Sequence, residues 1–271
     1  VHFASRREAP PRPCPGSRGT ALAVAALLSL VWARAPLPAE LLDFPASSRF
    51  DIFDGDGAKV VGYAGYDFRP AGPGSYVLHG ENRFFDGQYD VEEDEVTEHG
   101  PDTPATPVTY RHDYFDADGS LQRVAQANFR TGNASCDVYV DGHPQVSDAR
   151  LEFPADTYGG STVLIPLTRG LREGLDRPIR FHNFNCIPGP RIVRIEAYPS
   201  SLATWRQYPG ELVQVRIKPD FGWLDFLIGP FVPKMDAWFE PARPYAYIGG
   251  KAGRYYKGPE IILVRARGET R

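Results

Sequence analysis

Along most of the chain apolar and polar positions alternate in short runs, and the runs are separated by residues that favour turns. Arg49 to Phe53, Lys59 to Arg69, Tyr76 to Phe85, Val108 to Phe115, Leu121 to Phe129 and Cys136 to Val140 each read as strands with one face in a core and one in water. Three of the gaps end in Asp-Gly: Phe53-Asp54-Gly55-Asp56-Gly57, Phe115-Asp116-Ala117-Asp118-Gly119 and Val140-Asp141-Gly142. That dipeptide supplies the positive φ of tight hairpins, so the first half reads as a β-meander. From Ser161 to Leu175 the period changes. Ser161 can cap, and Val163, Leu164, Leu167 and Leu171 recur at helical spacing, so this segment predicts one short helix despite Pro166 and Gly170. Extended runs then resume at Ile179 to Phe184, Arg191 to Tyr198, Glu211 to Lys218, Met235 to Phe239, Tyr245 to Ile248 and Ile261 to Arg265. Strands, one helix and more strands point to a single mainly β domain over residues 40–271, with the helix laid on the sheet.

The first 39 residues have a different pattern. Arg6, Arg7, Arg12 and Arg18 precede an uncharged apolar run from Ala21 to Trp32, and small residues follow up to Ala39. This three-part order is that of a secretory signal peptide, and the run is too short to span a bilayer. The reading places the protein in the periplasm or outside the cell, with no stable transmembrane span after processing. A retained N-terminal anchor is the alternative.

Composition supports the strand reading. The 271 residues include 27 Gly and 26 Pro, which break helices, and 16 Phe and 14 Tyr, which suit a pleated surface. The formal charge is −4, and loss of residues 1–39, with five Arg and one Glu, takes it to −8. Such a chain lacks the cationic surface that gives nucleic-acid binding most of its affinity, so nucleic acid is excluded as a partner class. The two cysteines left, Cys136 and Cys186, read as a disulfide in an oxidising compartment, or else as two buried thiols.

Candidate chemistry is sparse. The Asp-Gly turns lack the ligand spacing of a calcium loop, and Glu92-Glu93-Asp94-Glu95, in an acidic stretch from Glu81 to Asp102, reads as a solvated exposed loop. His112-Asp113 and His182-Asn183-Phe184-Asn185-Cys186 are the densest polar clusters. On a strand, His112 and Asp113 point to opposite faces, and Cys186 has a simpler role as the partner of Cys136. No nucleophile elbow, phosphate loop, dinucleotide fingerprint or zinc pattern occurs, so no catalytic residue, metal site or cofactor is assigned. The most distinctive segment is Phe221 to Val232, with four aromatics and one charge. It reads as core packing, as an apolar lip touching a lipid-like ligand, or as a protein interface. In the ligand reading Trp223, Phe226, Leu227 and Phe231 carry the contact, with Trp238 added from the strand beyond.

Four features together resemble an uncharacterised family of bacterial envelope proteins, β-rich domains of unknown function. They are Val61-Gly62-Tyr63-Ala64-Gly65-Tyr66 in an early strand, the helix start Tyr158 to Thr162, Pro209-Gly210-Glu211-Leu212 leading into Val213-Gln214-Val215, and Met235-Asp236-Ala237-Trp238-Phe239 before Pro241 to Pro244. The resemblance spans roughly residues 48–266, and its sheet is similar to the open half-barrel of lipoprotein carriers. It implies a curved antiparallel sheet with one short helix packed on its concave face. It carries no catalytic residues, and segment 221–232 is longer and more apolar than the family pattern. The expectation is an exported, non-enzymatic protein that binds a lipid or another apolar or amphipathic small molecule. The alternatives are an envelope interaction module that uses loop 221–232 to hold a protein partner, and a hydrolase built on His112, His182 or an acidic pair.

Overall fold

Nine strands form first. They are β1 (Ser47–Asp54), β2 (Val60–Gly72), β3 (Ser75–Phe84), β4 (Tyr89–Thr97), β5 (Thr106–Phe115), β6 (Leu121–Asn128), β7 (Asn133–Val140) and the short β8 (His143–Gln145) and β9 (Asp148–Arg150). Strand β10 (Thr157–Tyr158) leads through a 3-10 turn, Gly160–Val163, into helix α1 (Leu164–Glu173). Strands β11 (Ile179–Asn185), β12 (Arg191–Trp205), β13 (Tyr208–Pro219), β14 (Met235–Phe239), β15 (Tyr247–Gly253) and β16 (Glu260–Arg265) complete the chain. This is a computed structural model, and it describes residues 47–98, 105–186, 188–222, 235–254 and 258–266, side chains 201 and 202 excepted. The signal segment read at 1–39 lies outside these residues. Among the described residues no helix is long and apolar enough to cross a membrane.

All the strands belong to one sheet. Its order is β10-β11-β12-β13-β14-β15-β16-β1-β2-β3-β4-β5-β6-β7-β8, with β9 on the same edge of β7 as β8. Pairing is antiparallel throughout except for β10 with β11. The final strand β16 lies beside β1, so the two halves of the chain meet in the middle of the sheet. The sheet is open, yet it curves so far that its ends meet in space. Cys136 of β7 and Cys186, which follows β11, form a disulfide with Cα atoms 5.5 Å apart. Phe184 of β11 packs edge-on against Tyr110 of β5 and against Phe153, in one apolar cluster with Ala125, Ala127 and Ala134.

The curvature is filled by α1. Ile165, Leu167 and Leu171 of the helix pack with Phe68, Tyr76, Leu78 and Val96 from β2–β4 and with Ile179, Phe181, Ile195, Ala197, Val213, Val215, Ala237 and Phe239 from β11–β14. This is the curved open sheet with a helix on its concave face. Two hairpin turns use glycine as expected: Gly57 (φ 67°) and Gly119 (φ 81°) donate to the carbonyls of Asp54 and Asp116. The acidic stretch is where expectation and structure part. Residues Tyr89–Thr97 are not a solvated loop but an interior strand of the sheet, paired on both sides. A strand directs alternate side chains to one face, so three of its acids, Asp90, Glu92 and Asp94, are buried.

Candidate functional site

The concave face carries one unbroken cross-strand line that is polar at its centre. In register across seven strands it reads Ser48, Tyr66, Gly80, Glu92, His112, Ala125 and Cys136. On either side of Glu92 along β4 stand Asp90, opposite Asn82 and Tyr114, and Asp94, opposite Leu78 and Tyr110.

Each of these groups has a different environment. Asp90 Oδ1 accepts from Asn82 Nδ2 at 2.7 Å and lies 2.8 Å from His112 Nε2. The other ring nitrogen of His112 is 3.1 Å from the Tyr114 hydroxyl, and the two rings stack with centroids 4.2 Å apart. Burial disfavours the charged imidazolium. The hydrogen bond to Asp90 and the negative charges of Glu92, Asp90 and Asp113 outweigh it, and the His112 pKa is raised. Glu92 serves the helix: its carboxylate accepts from the backbone N–H of Ser161 and, at 3.1 Å, from the Ser161 hydroxyl. A carboxylate at the start of a helix satisfies free N–H groups and opposes the helix dipole. The next cap is local, since Thr162 Oγ1 accepts from Gly159 N–H and donates to Gly159 C=O.

The turn is pressed hard against the strands. A Cβ on Gly159 would lie 2.9 Å from the Tyr110 ring, and one on Gly160 (φ 44°) would lie 2.1 Å from a Glu92 oxygen. Asp94 differs from its neighbours. It is fully buried, and neither of its oxygens finds a hydrogen-bond donor among the described residues. Burial, and then the adjacent Glu92 carboxylate, push its pKa well above the ordinary aspartate value.

Beside this polar array, between α1 and strands β1–β3, β15 and β16, lies a crevice with room for about 40 Å³. Tyr66, Phe68, Leu78, Leu164, Tyr245 and Tyr247 form most of its wall, with Ser48, Asp67, Ser161, Thr168 and Arg265 at its polar margins. Phe50, Tyr66 and Tyr247 pack ring to ring behind it. Tyr66 and Tyr247 both contribute their rings to this wall. Burial raises both pKa values, and for Tyr66 the charges of Tyr247, Glu92 and Asp90 add to this. Tyr245 holds a left-handed backbone (φ 58°), which is strained for a bulky side chain.

The residues singled out in the sequence are distributed as follows. Trp223, Phe226, Leu227 and Phe231 lie outside the described residues. Trp238 is buried (6% exposed) and stacked face to face on Trp205, centroids 4.2 Å apart. Those two tryptophans belong to a separate cluster with Leu212, Ile248, Ile262 and Val264, whereas the neighbours of Trp238, Ala237 and Phe239, face the helix. His112 and His182 each have their own carboxylate: His182 Nδ1 is 2.7 Å from Asp156 at a part-exposed site, away from the Asp90 pair. Asp113, beside His112, points the other way and pairs with Arg111 at 2.9 Å. Both nitrogens of His112 are engaged, Nε2 by Asp90 and Nδ1 by the hydroxyls of Tyr114 and Tyr110. Among the described residues no group of His, Cys, Asp and Glu is arranged to hold a metal ion.

Sequence reasoning missed Asp90, Glu92 and Asp94. The available signal was the two-residue spacing of the acids, which continues to Val96 on the same face. Glu93 and Glu95 hid it by making the opposite face acidic as well. No family model and no curated protein matches the chain.

Proposed function

We propose that this is an exported, non-enzymatic binding protein that takes an amphipathic small molecule into the crevice beside α1. It would work as open half-barrel carriers do. The observation that carries the reading is the crevice itself: a gap on the concave face walled by Tyr66, Phe68, Leu78, Leu164, Tyr245 and Tyr247, with polar groups at its margins. A recess with an aromatic wall and polar margins suits a molecule that has an apolar stem and a polar end. An apolar stem would lie among Phe68, Leu78 and Leu164, each buried methylene contributing about 0.8 kcal/mol. The strained Tyr245 at the wall supports the same reading, because strain of this kind collects at binding sites.

The room present corresponds to roughly three ordered waters. It therefore admits one end of such a molecule while α1 stays seated, and a longer chain requires the helix to shift.

The test combines native mass spectrometry of protein from its own host with titration by the apolar dye phenylnaphthylamine. The expected result is a non-covalent adduct on the wild type and dye binding that Leu164→Trp, which plugs the crevice, reduces at least about tenfold, or 1.4 kcal/mol. A bare protein mass together with equal dye binding by the wild type and the plugged variant would overturn the reading.

A further inference from the structure

We propose that the Asp94 carboxyl is a proton-operated release for the helix, holding the start of α1 on the sheet while protonated and freeing it when the proton leaves. The inference rests on the proposed binding role only for what an opened crevice would admit; the release stands on its own geometry.

Three features carry it. Asp94 is sealed from solvent, and the side chain it meets is Glu92, itself an acid, so among the described residues it has no donor or counter-charge of its own. Its neighbour on the same face is Glu92, whose two oxygens hold Ser161 by its N–H and its hydroxyl. Glu92 is also packed against the turn, because a carbon added at Gly160 would collide with its carboxylate.

As a neutral acid Asp94 can donate to Glu92. As a carboxylate it places a second negative charge beside Glu92 where burial denies both of them water. Glu92 cannot withdraw without giving up its two hydrogen bonds to Ser161, so relief of the repulsion frees the turn Gly160–Val163 and lets water in. The lifted element is the one that closes the crevice, since Ser161 and Leu164 form part of its wall.

The other groups facing this point act in the same direction or are neutral in the relevant range. Glu93, on the outer face of β4, adds negative charge. From β2 and β5 come the tyrosines Tyr66 and Tyr110, whose pKa values are raised by burial. From β3 comes Leu78. His112 on β5 also faces this point, and with its pKa raised it loses its charge only as pH rises. Loss of that proton weakens the Asp90 pair and also loosens this wall, so the two must be separated by experiment.

The experiment is hydrogen exchange, read by mass spectrometry, on the full chain with its disulfide intact. Protection of the 161–167 segment is compared at about pH 6 and about pH 9 after correction for intrinsic exchange. In the wild type, protection is expected to fall roughly tenfold or more over that range. Asp94→Asn, which keeps the shape without the charge, is expected to abolish the fall, and His112→Gln is expected to retain it. Equal protection at both pH values in the wild type, or an undiminished fall in Asp94→Asn, overturns the proposal. Should Asp94→Asn not fold, the carboxyl carbon of Asp94 in the wild type can be followed by NMR. Titration above neutrality supports the release, and titration at the ordinary aspartate value of 3.8 overturns it. Dye binding measured alongside keeps the two readings apart. Helix release without dye entry removes the binding role alone, whereas dye entry that Asp94→Asn leaves unchanged, with no helix release, removes this inference alone.

Discussion

Helix α1 lies between two walls of opposite chemistry. Strands β11–β14 face it with Ile179, Phe181, Ile195, Ala197, Val213, Val215, Ala237 and Phe239, and contact there is non-directional. Strands β4 and β5 present Asp90, Glu92, Asp94, Tyr110, His112 and Tyr114 at the start of the helix, and all but Asp94 are held by particular donors and acceptors. The apolar wall holds the helix in place under most conditions. The polar wall fixes where the helix starts and couples its seating to protons, because buried charges are stable only while their partners are present. A single element is thereby held firmly along its length and conditionally at its N-terminal end.

The largest effect should come from the apolar wall. Phe181→Ala, at a residue 1% exposed, is expected to lower stability by about 3–5 kcal/mol in urea unfolding. A loss below about 1 kcal/mol would mean that this wall is not the principal core. The next largest effect concerns the clasp between the sheet's two ends. Replacing both cysteines by serine removes a link across a sequence separation of 50 residues and should cost about 2–4 kcal/mol, with β7 and β11 losing exchange protection ahead of β13 and β14. Simultaneous loss in all four strands would show that the two ends are not a separable unit.

The smallest effect, and the one that separates the walls, is on pH dependence. The native Asp94 keeps a proton that the unfolded chain has already lost, so its contribution declines as pH rises from about 3.8 toward its raised native value. Asp94→Asn should therefore match the wild type near pH 4 and become progressively more stable than it as pH rises toward 8. A variant less stable than the wild type at the higher pH would place a required charge at Asp94.

Much of the apolar wall was legible in the sequence. Ile179-Arg180-Phe181 and Val213-Gln214-Val215 alternate cleanly, and Met235–Phe239 was read to the residue. Helix α1 was legible from Leu164, Leu167 and Leu171, and the Cys136–Cys186 pair from the even cysteine count. The polar wall was not. Alternation is recognised by the contrast between its two faces, and in Asp90-Val91-Glu92-Glu93-Asp94-Glu95 both faces carry acids. What buries one set is the helix start, 69 residues from Glu92 to Ser161, together with Asn82, His112 and the tyrosines. No local pattern encodes that proximity. The strands β8, β9 and β10 were also missed; at two or three residues each they are defined by the partner edge they sit on.

The pairing of β16 with β1 has a consequence for how the chain acquires its structure. A nascent polypeptide emerges with β1 first and β16 last, so the central ladder waits until nearly the whole domain is available. Until then the free edge of β1 is exposed to mispairing with other chains. Contacts this distant in sequence also slow folding.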